Sequence, residues 1–159
     1  MATLPQLLEE DIQRLDDELR ELLEKSDATT AMVCDKGGFL LTSQGDNRRF
    51  DLTTIAALAS GAFMANQTIA NLIDEPNFNS VYQQGDSFSM YCVCIDDYSL
   101  LVVVFRATVS VGVVKYFATP AVQAIARQML IAQQRDPSGG LDLSVLNMAD
   151  ASDLFKRRA

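Results

Sequence analysis

From Leu52 to Ile73 the chain carries no charged side chain at all. The spacing predicts one helix, with Leu52, Ile55, Ala59, Phe63 or Ala62, Ile69 and Ile73 on a single apolar stripe directed at the protein's own core. Asp51 stands where it can cap the first turn, and Asp74-Glu75-Pro76-Asn77 ends the helix, because proline and the residue before it disfavour helical backbone. The opposite side reads Ala57, Leu58, Gly61, Met64, Ala65, Thr68 and Leu72, again apolar or small. A helix of this kind is normally buried all round. Yet 159 residues make one domain with a proper core and leave little chain to cover a second face. That face is therefore expected to meet another protein.

The flanking segments define the rest of the fold. Over Pro5 to Lys25, apolar residues recur every three or four positions at Leu4, Leu8, Ile12 or Asp11, Leu15, Leu19 and Leu22, which predicts an amphipathic helix with an acidic, solvated face. The period then becomes that of strands, Thr29 to Cys34 and Phe39 to Ser43, joined by the short turn Asp35-Lys36-Gly37-Gly38. After the charge-free helix come runs at Ser80 to Gln84, Ser87 to Ile95 and Tyr98 to Arg106, linked by turns short enough for consecutive hairpins. Leu100 to Phe105 is apolar on both faces and predicts the central strand. A last helix is expected from Ser110 to Gln134, kinked near Pro120. The breaker cluster Asp136-Pro137-Ser138-Gly139-Gly140 separates a domain of residues 1–135 from a flexible tail, 136–159, in which Met148 to Phe155 could form a short helix. The fold class expected is α+β: a five-stranded antiparallel sheet with one helix on one face and two on the other.

Composition narrows the functions open to such a domain. With a net charge of −8 and its only dense basic stretch at Lys156-Arg157-Arg158, the chain lacks the footprint of a nucleic-acid binder. No apolar run approaches the roughly 20 residues of a spanning helix, and the start has neither a basic nor an apolar signal region, so a cytoplasmic protein is expected. Cys34, Cys92 and Cys94 read as reduced, packed thiols.

A catalytic site is not apparent. The chain has no histidine, which removes the commonest general base and metal ligand. The three cysteines are too few for a zinc site without it. Gly37-Gly38 and Gly139-Gly140 lack the spacing of a phosphate-cradling loop. Asp16-Asp17 and Asp96-Asp97 are explained by a solvated helix face and a turn. Arg48, Arg49 and Arg106 are the only basic residues that could act on a partner's phosphates, but solvated loop charges are the default reading of them. No enzyme, cofactor or metal is expected.

Three strings carry a resemblance: Asp35-Lys36-Gly37-Gly38-Phe39-Leu40-Leu41-Thr42-Ser43, the helix opening Asp51-Leu-Thr-Thr-Ile-Ala-Ala-Leu, and Leu100-Leu-Val-Val-Val-Phe105 followed by Ser110-Val-Gly-Val. In this order they resemble the Roadblock family, relatives of a dynein light chain, over about residues 5–134, and within it the MglB branch of bacterial regulators of the small Ras-like GTPase MglA. Asp153-Leu154-Phe155 near the end is similar too. The resemblance implies a homodimer in which two copies of the Leu52 to Ile73 helix lie side by side and the Ser80 to Gln84 strands pair. It implies a small MglA-like GTPase as partner, with hydrolysis stimulated by holding the GTPase's own residues in place rather than by an arginine finger. Ala57, Leu58, Gly61, Met64, Ala65, Thr68 and Leu72 would form the dimer and GTPase interface, and Asp153, Leu154 and Phe155 a tail contact. Two features depart from the branch: Met64 and Thr68 stand where Ala or Gly is usual, and the tail ends in basic residues rather than acidic ones. The alternative is a Roadblock scaffold subunit that binds partners without affecting hydrolysis.

Overall fold

The computed structural model describes residues 4–135. Helix α1 (Glu9–Ser26) starts four residues later than expected, because Leu8 is extended and the Asp11 carboxylate accepts its backbone N–H at 2.7 Å, closing the first turn. Leu4 and Leu7 still pack against the core from outside the helix. The acidic residues Glu9, Glu10 and Asp11 in the first turn and Lys25 in the last suit the helix dipole.

Strands β1 (Thr30–Asp35) and β2 (Leu40–Gly45) form the first hairpin, and β3 (Ser80–Gln83), β4 (Phe88–Cys94) and β5 (Ser99–Arg106) the meander. Helix α2 (Leu52–Leu72) lies between the two groups in sequence, and α3 (Val111–Gln134) ends the described chain. The strands make one antiparallel sheet in the order β2-β1-β5-β4-β3. As its unbroken apolar run predicts, β5 is central, and it is buried from Ser99 to Phe105.

Alternation along the inner strands divides two cores. Ala31, Val33, Leu101, Val103 and Phe105 point to α1 and α3, meeting Leu15, Leu19, Leu22, Ile125 and Met129. Met32, Cys34, Leu100 and Val102 point the other way, to α2. The architecture is the α+β arrangement expected, with one helix on one face and two on the other.

Helix α3 is continuous over the expected span, with Pro120 inside it. Pro120 is on the exposed side, so the Tyr116 carbonyl that loses its partner can turn to water. Of the two residues offered for one position of the α1 stripe, Asp11 is fully buried and Ile12 only half-buried. The tail 136–159 and the short helix expected at Met148 to Phe155 lie outside the described residues. Among the described residues no helix is long and apolar enough to cross a membrane.

Candidate functional site: the outer face of the central helix

Helix α2 opens as its sequence suggests. Asp51 accepts hydrogen bonds from the Thr54 N–H at 3.2 Å and the Thr54 hydroxyl at 2.6 Å, and these hold its carboxyl below the usual range. Inside the helix, however, the side chains are arranged the opposite way round from an ordinary amphipathic helix. The residues buried against the sheet are Leu52, Ala56, Ala59, Ser60, Phe63 and Ala70, most of them small. The large aliphatic ones face out: Leu58 is 69% exposed, Leu72 79% and Ile73 62%, with Met64 and Ile69 also exposed. Alanines let the helix lie close to the sheet, where Met32, Leu100 and Val102 fill the space from below.

This corrects two assignments. Ile69 and Ile73, expected in the core, are exposed. They continue the row of Ala62 and Asn66, which border a crevice against Val81 and Gln83 of β3 and Met90 and Cys92 of β4. Because β3 is the sheet's last strand and only four residues long, that row runs off the sheet before it reaches Ile69. Ile55 is half-buried beside the α2 core.

Ala57, Leu58, Gly61, Met64, Ala65, Thr68 and Leu72 are all exposed and lie on one connected outer surface of α2. A side chain at Gly61 would meet nothing within 4 Å. The Thr68 hydroxyl turns back to the Met64 carbonyl at 3.5 Å, which leaves its methyl group outward. Asp153, Leu154 and Phe155 lie outside the described residues.

The hairpin between β1 and β2 adds a residue that the sequence reading missed. Ser60 donates from its hydroxyl to the Lys36 carbonyl at 2.5 Å, tying the hairpin to α2. Gly38, at φ +101°, lies so close that a Cβ there would stand 3.2 Å from the Cα of Ala57. Together these contacts hold the next residue, Phe39, beside the outer face of α2, 72% exposed. The Gly-Gly pair was the available signal, since it allows a close backbone approach.

Of the three arginines considered, Arg49 lies over the rings of Phe88 and Phe50, at 4.8 and 5.8 Å from their centroids. Arg48 and Arg106 are exposed. Burial pushes the Cys34 and Cys92 thiols up to about 12, so both stay protonated and packed at neutral pH. Asp96 caps its own turn, accepting from the N–H groups of Tyr98 and Ser99 and from the Ser99 hydroxyl. These groups hold structure in place; none is arranged as a nucleophile with a base.

The Roadblock/LC7 domain family matches residues 14–105, more than half of the chain. The protein belongs to the Roadblock/LC7 family. Among solved structures, an MglB described as having a tetrameric arrangement is 28% identical, covering 83% of this chain and 99% of that one at a TM-score of 0.77. The gliding protein MglB of Thermus thermophilus is 29% identical, with 81% and 98% covered and a TM-score of 0.75. Myxococcus xanthus MglB is 25% identical, with 82% and 98% covered and a TM-score of 0.76. No curated protein sequence matches the chain.

Proposed function

We propose that this Roadblock protein is a cytoplasmic homodimer that binds a small Ras-like GTPase of the MglA kind and stimulates its GTP hydrolysis. The observation that carries the reading is the exposed apolar face of α2: the side against the sheet is mostly small apart from Leu52 and Phe63, and Leu58, Met64, Leu72 and Ile73 stand in the open. Burying such side chains stabilises a contact by about 1.5–3 kcal/mol each, a strong drive toward a covering protein. A second copy meets part of that need. Two α2 helices side by side across a two-fold axis, with the open edges of two β3 strands paired, would join both sheets into one. The remaining outer surface around Ala57, Gly61, Ala65 and Phe39 is left for the GTPase, with Asp153, Leu154 and Phe155 as a second contact.

The dimer brings no chemistry of its own to the reaction. It would act by binding the hydrolysis-competent state of the GTPase more tightly than the ground state, which lowers the barrier without an inserted arginine. One structural neighbour is described as a gliding protein, which supports a role for this activity in motility. Met64 and Thr68 favour a second reading, since they put bulk where a close approach needs small residues. In that reading the dimer is a scaffold that holds a partner without changing hydrolysis.

GTP turnover by an MglA-like GTPase, measured with increasing dimer, separates the two. Acceleration that saturates supports the regulator. Binding equally tight to the GTP and GDP forms, with turnover unchanged, supports the scaffold.

A further inference from the structure

Helix α2 is flanked by charges set the wrong way round for it. Arg48 and Arg49 precede its N-terminus. Arg49 lies over the Phe88 ring, and Arg106 is the register partner of Phe88 and so stands on the same face of the sheet. At the other end α2 has no basic residue in its last turn and is followed by Asp74 and Glu75, both exposed. Apart from the capping Asp51, each end has the sign that the helix's own dipole disfavours. A neighbouring α2 running the opposite way would correct both ends.

Next to the arginines lies an apolar groove of about 370 Å³, walled by Phe50, Ile55, Phe88, Met90 and Val104 and bounded at the end of β3 by Gln83. Gln67, near the C-terminus of α2, donates to the Phe78 carbonyl at 2.7 Å, just before β3 begins, whereas Ile55 shares the groove with Gln83, where β3 ends. Helix and strand therefore run in opposite senses. Pairing two β3 strands antiparallel sets Ser80 of one against Gln83 of the other, which brings the C-terminus of one α2 to the groove of the other copy. Ala62 and Asn66 border Val81 and Gln83, so the two-fold axis crosses α2 between them. Counted outward from there, the partner's Ile73 falls opposite Ile55, and the partner's Asp74 and Glu75 fall opposite Thr54 and Thr53, close to Arg49.

We propose that a second copy completes this groove: the partner's Ile73 fills it, and the partner's Asp74 and Glu75 pair with Arg49 and Arg106 at its rim. The symmetry makes the latch twice, once at each end of the paired helices. Asp51 and Asp86 are the acids beside the rim, and Asp51 is already engaged by Thr54, which leaves the arginines in excess. Stacking on Phe88 holds the Arg49 guanidinium in place before the partner arrives, so little freedom is lost when the carboxylates bind. The latch makes association self-selective, since another Roadblock domain would need an apolar residue followed by acids at the same point. The inference rests on the dimer in the reading above and is independent of the GTPase.

Two full-length variants test it by charge exchange, without any GTPase. One combines Arg49→Glu with Arg106→Glu; the other combines Asp74→Asn with Glu75→Lys, asparagine being chosen because position 74 has φ +60°. Sedimentation with one variant fluorescently labelled should show each alone dimerising at least about tenfold more weakly than the natural chain. Mixed, they should form a heterodimer at close to the natural affinity, because every groove then meets charges of the opposite sign. The natural dimer itself, with no variant involved, should loosen about fivefold between about 0.05 and 0.5 M salt. Variants that dimerise alone as tightly as the natural chain, a mixture no tighter than either alone, or a dimer indifferent to salt would overturn the latch. A natural chain that is monomeric at every concentration would overturn the dimer reading itself, and the latch with it.

Discussion

Arg135, at the end of α3, grips Asp11, in the first turn of α1, through two hydrogen bonds: Nη1 to Oδ2 at 2.7 Å and Nη2 to Oδ1 at 2.9 Å. Gln128 donates a third, at 2.7 Å, to a carboxylate that is fully buried. The Arg135 hydrogen bonds lead the effects that hold the Asp11 carboxyl at about 2, against the pull of burial in the other direction. A depressed carboxyl contributes stability above its unfolded value, and that contribution is lost as pH falls. The pair should therefore contribute about 2 kcal/mol at neutral pH, fading between about pH 4 and pH 2. Urea unfolding across that window, for the natural protein and Asp11→Asn, checks it. Arg135→Ala should cost more than Asp11→Ala, because it leaves a buried carboxylate without its counter-charge.

This contact also shows where sequence reading stops. Period and turn chemistry placed every helix and strand of the described domain in order, because each buries one face and each turn has its residues. They oriented α2 only in part, since a helix apolar on all sides offers little contrast between inside and outside. Leu52, Ala59 and Phe63 are buried as expected, but Ile69 and Ile73, assigned to the core, are exposed, and Ala56, Ser60 and Ala70 are buried as well. Asp11 stood as an alternative to Ile12 on the stripe, but the partner that permits its burial was hidden, because Arg135 is 124 residues away. The outer residues of α2, by contrast, were legible from the missing charge alone.

Two glycines should respond in opposite ways. Gly38→Ala forces a side chain into positive φ and against Ala57, so thermal unfolding should show a loss of about 1–2 kcal/mol. Gly61 lies mid-helix in open space, and Gly61→Ala should stabilise the isolated fold by about 0.5–1 kcal/mol. Gly61→Arg, equally harmless to the fold, should split the dimer or abolish GTPase binding. Normal sizing together with normal binding would remove α2 from the interface.

The thiols should report burial. In native protein at pH 8, alkylation followed by mass spectrometry should modify half-buried Cys94 first and leave Cys34 and Cys92 intact until unfolding. Since burial raises both buried thiols from about 9 to about 12, the unfolded chain releases protons first, and stability should fall as pH rises above about 9. Unfolding that is no easier at pH 10 than at pH 8 would contradict this placement.

The central claim is that a second copy covers the large aliphatic side chains on the outside of α2. Sedimentation equilibrium at micromolar concentration tests it most directly, on the natural chain and on a variant combining Leu72→Asp with Ile73→Asp. The account predicts twice the chain mass for the first, and for the second a single chain mass with unchanged circular dichroism. A natural chain that sediments as a monomer, or a variant that remains a dimer, would contradict it.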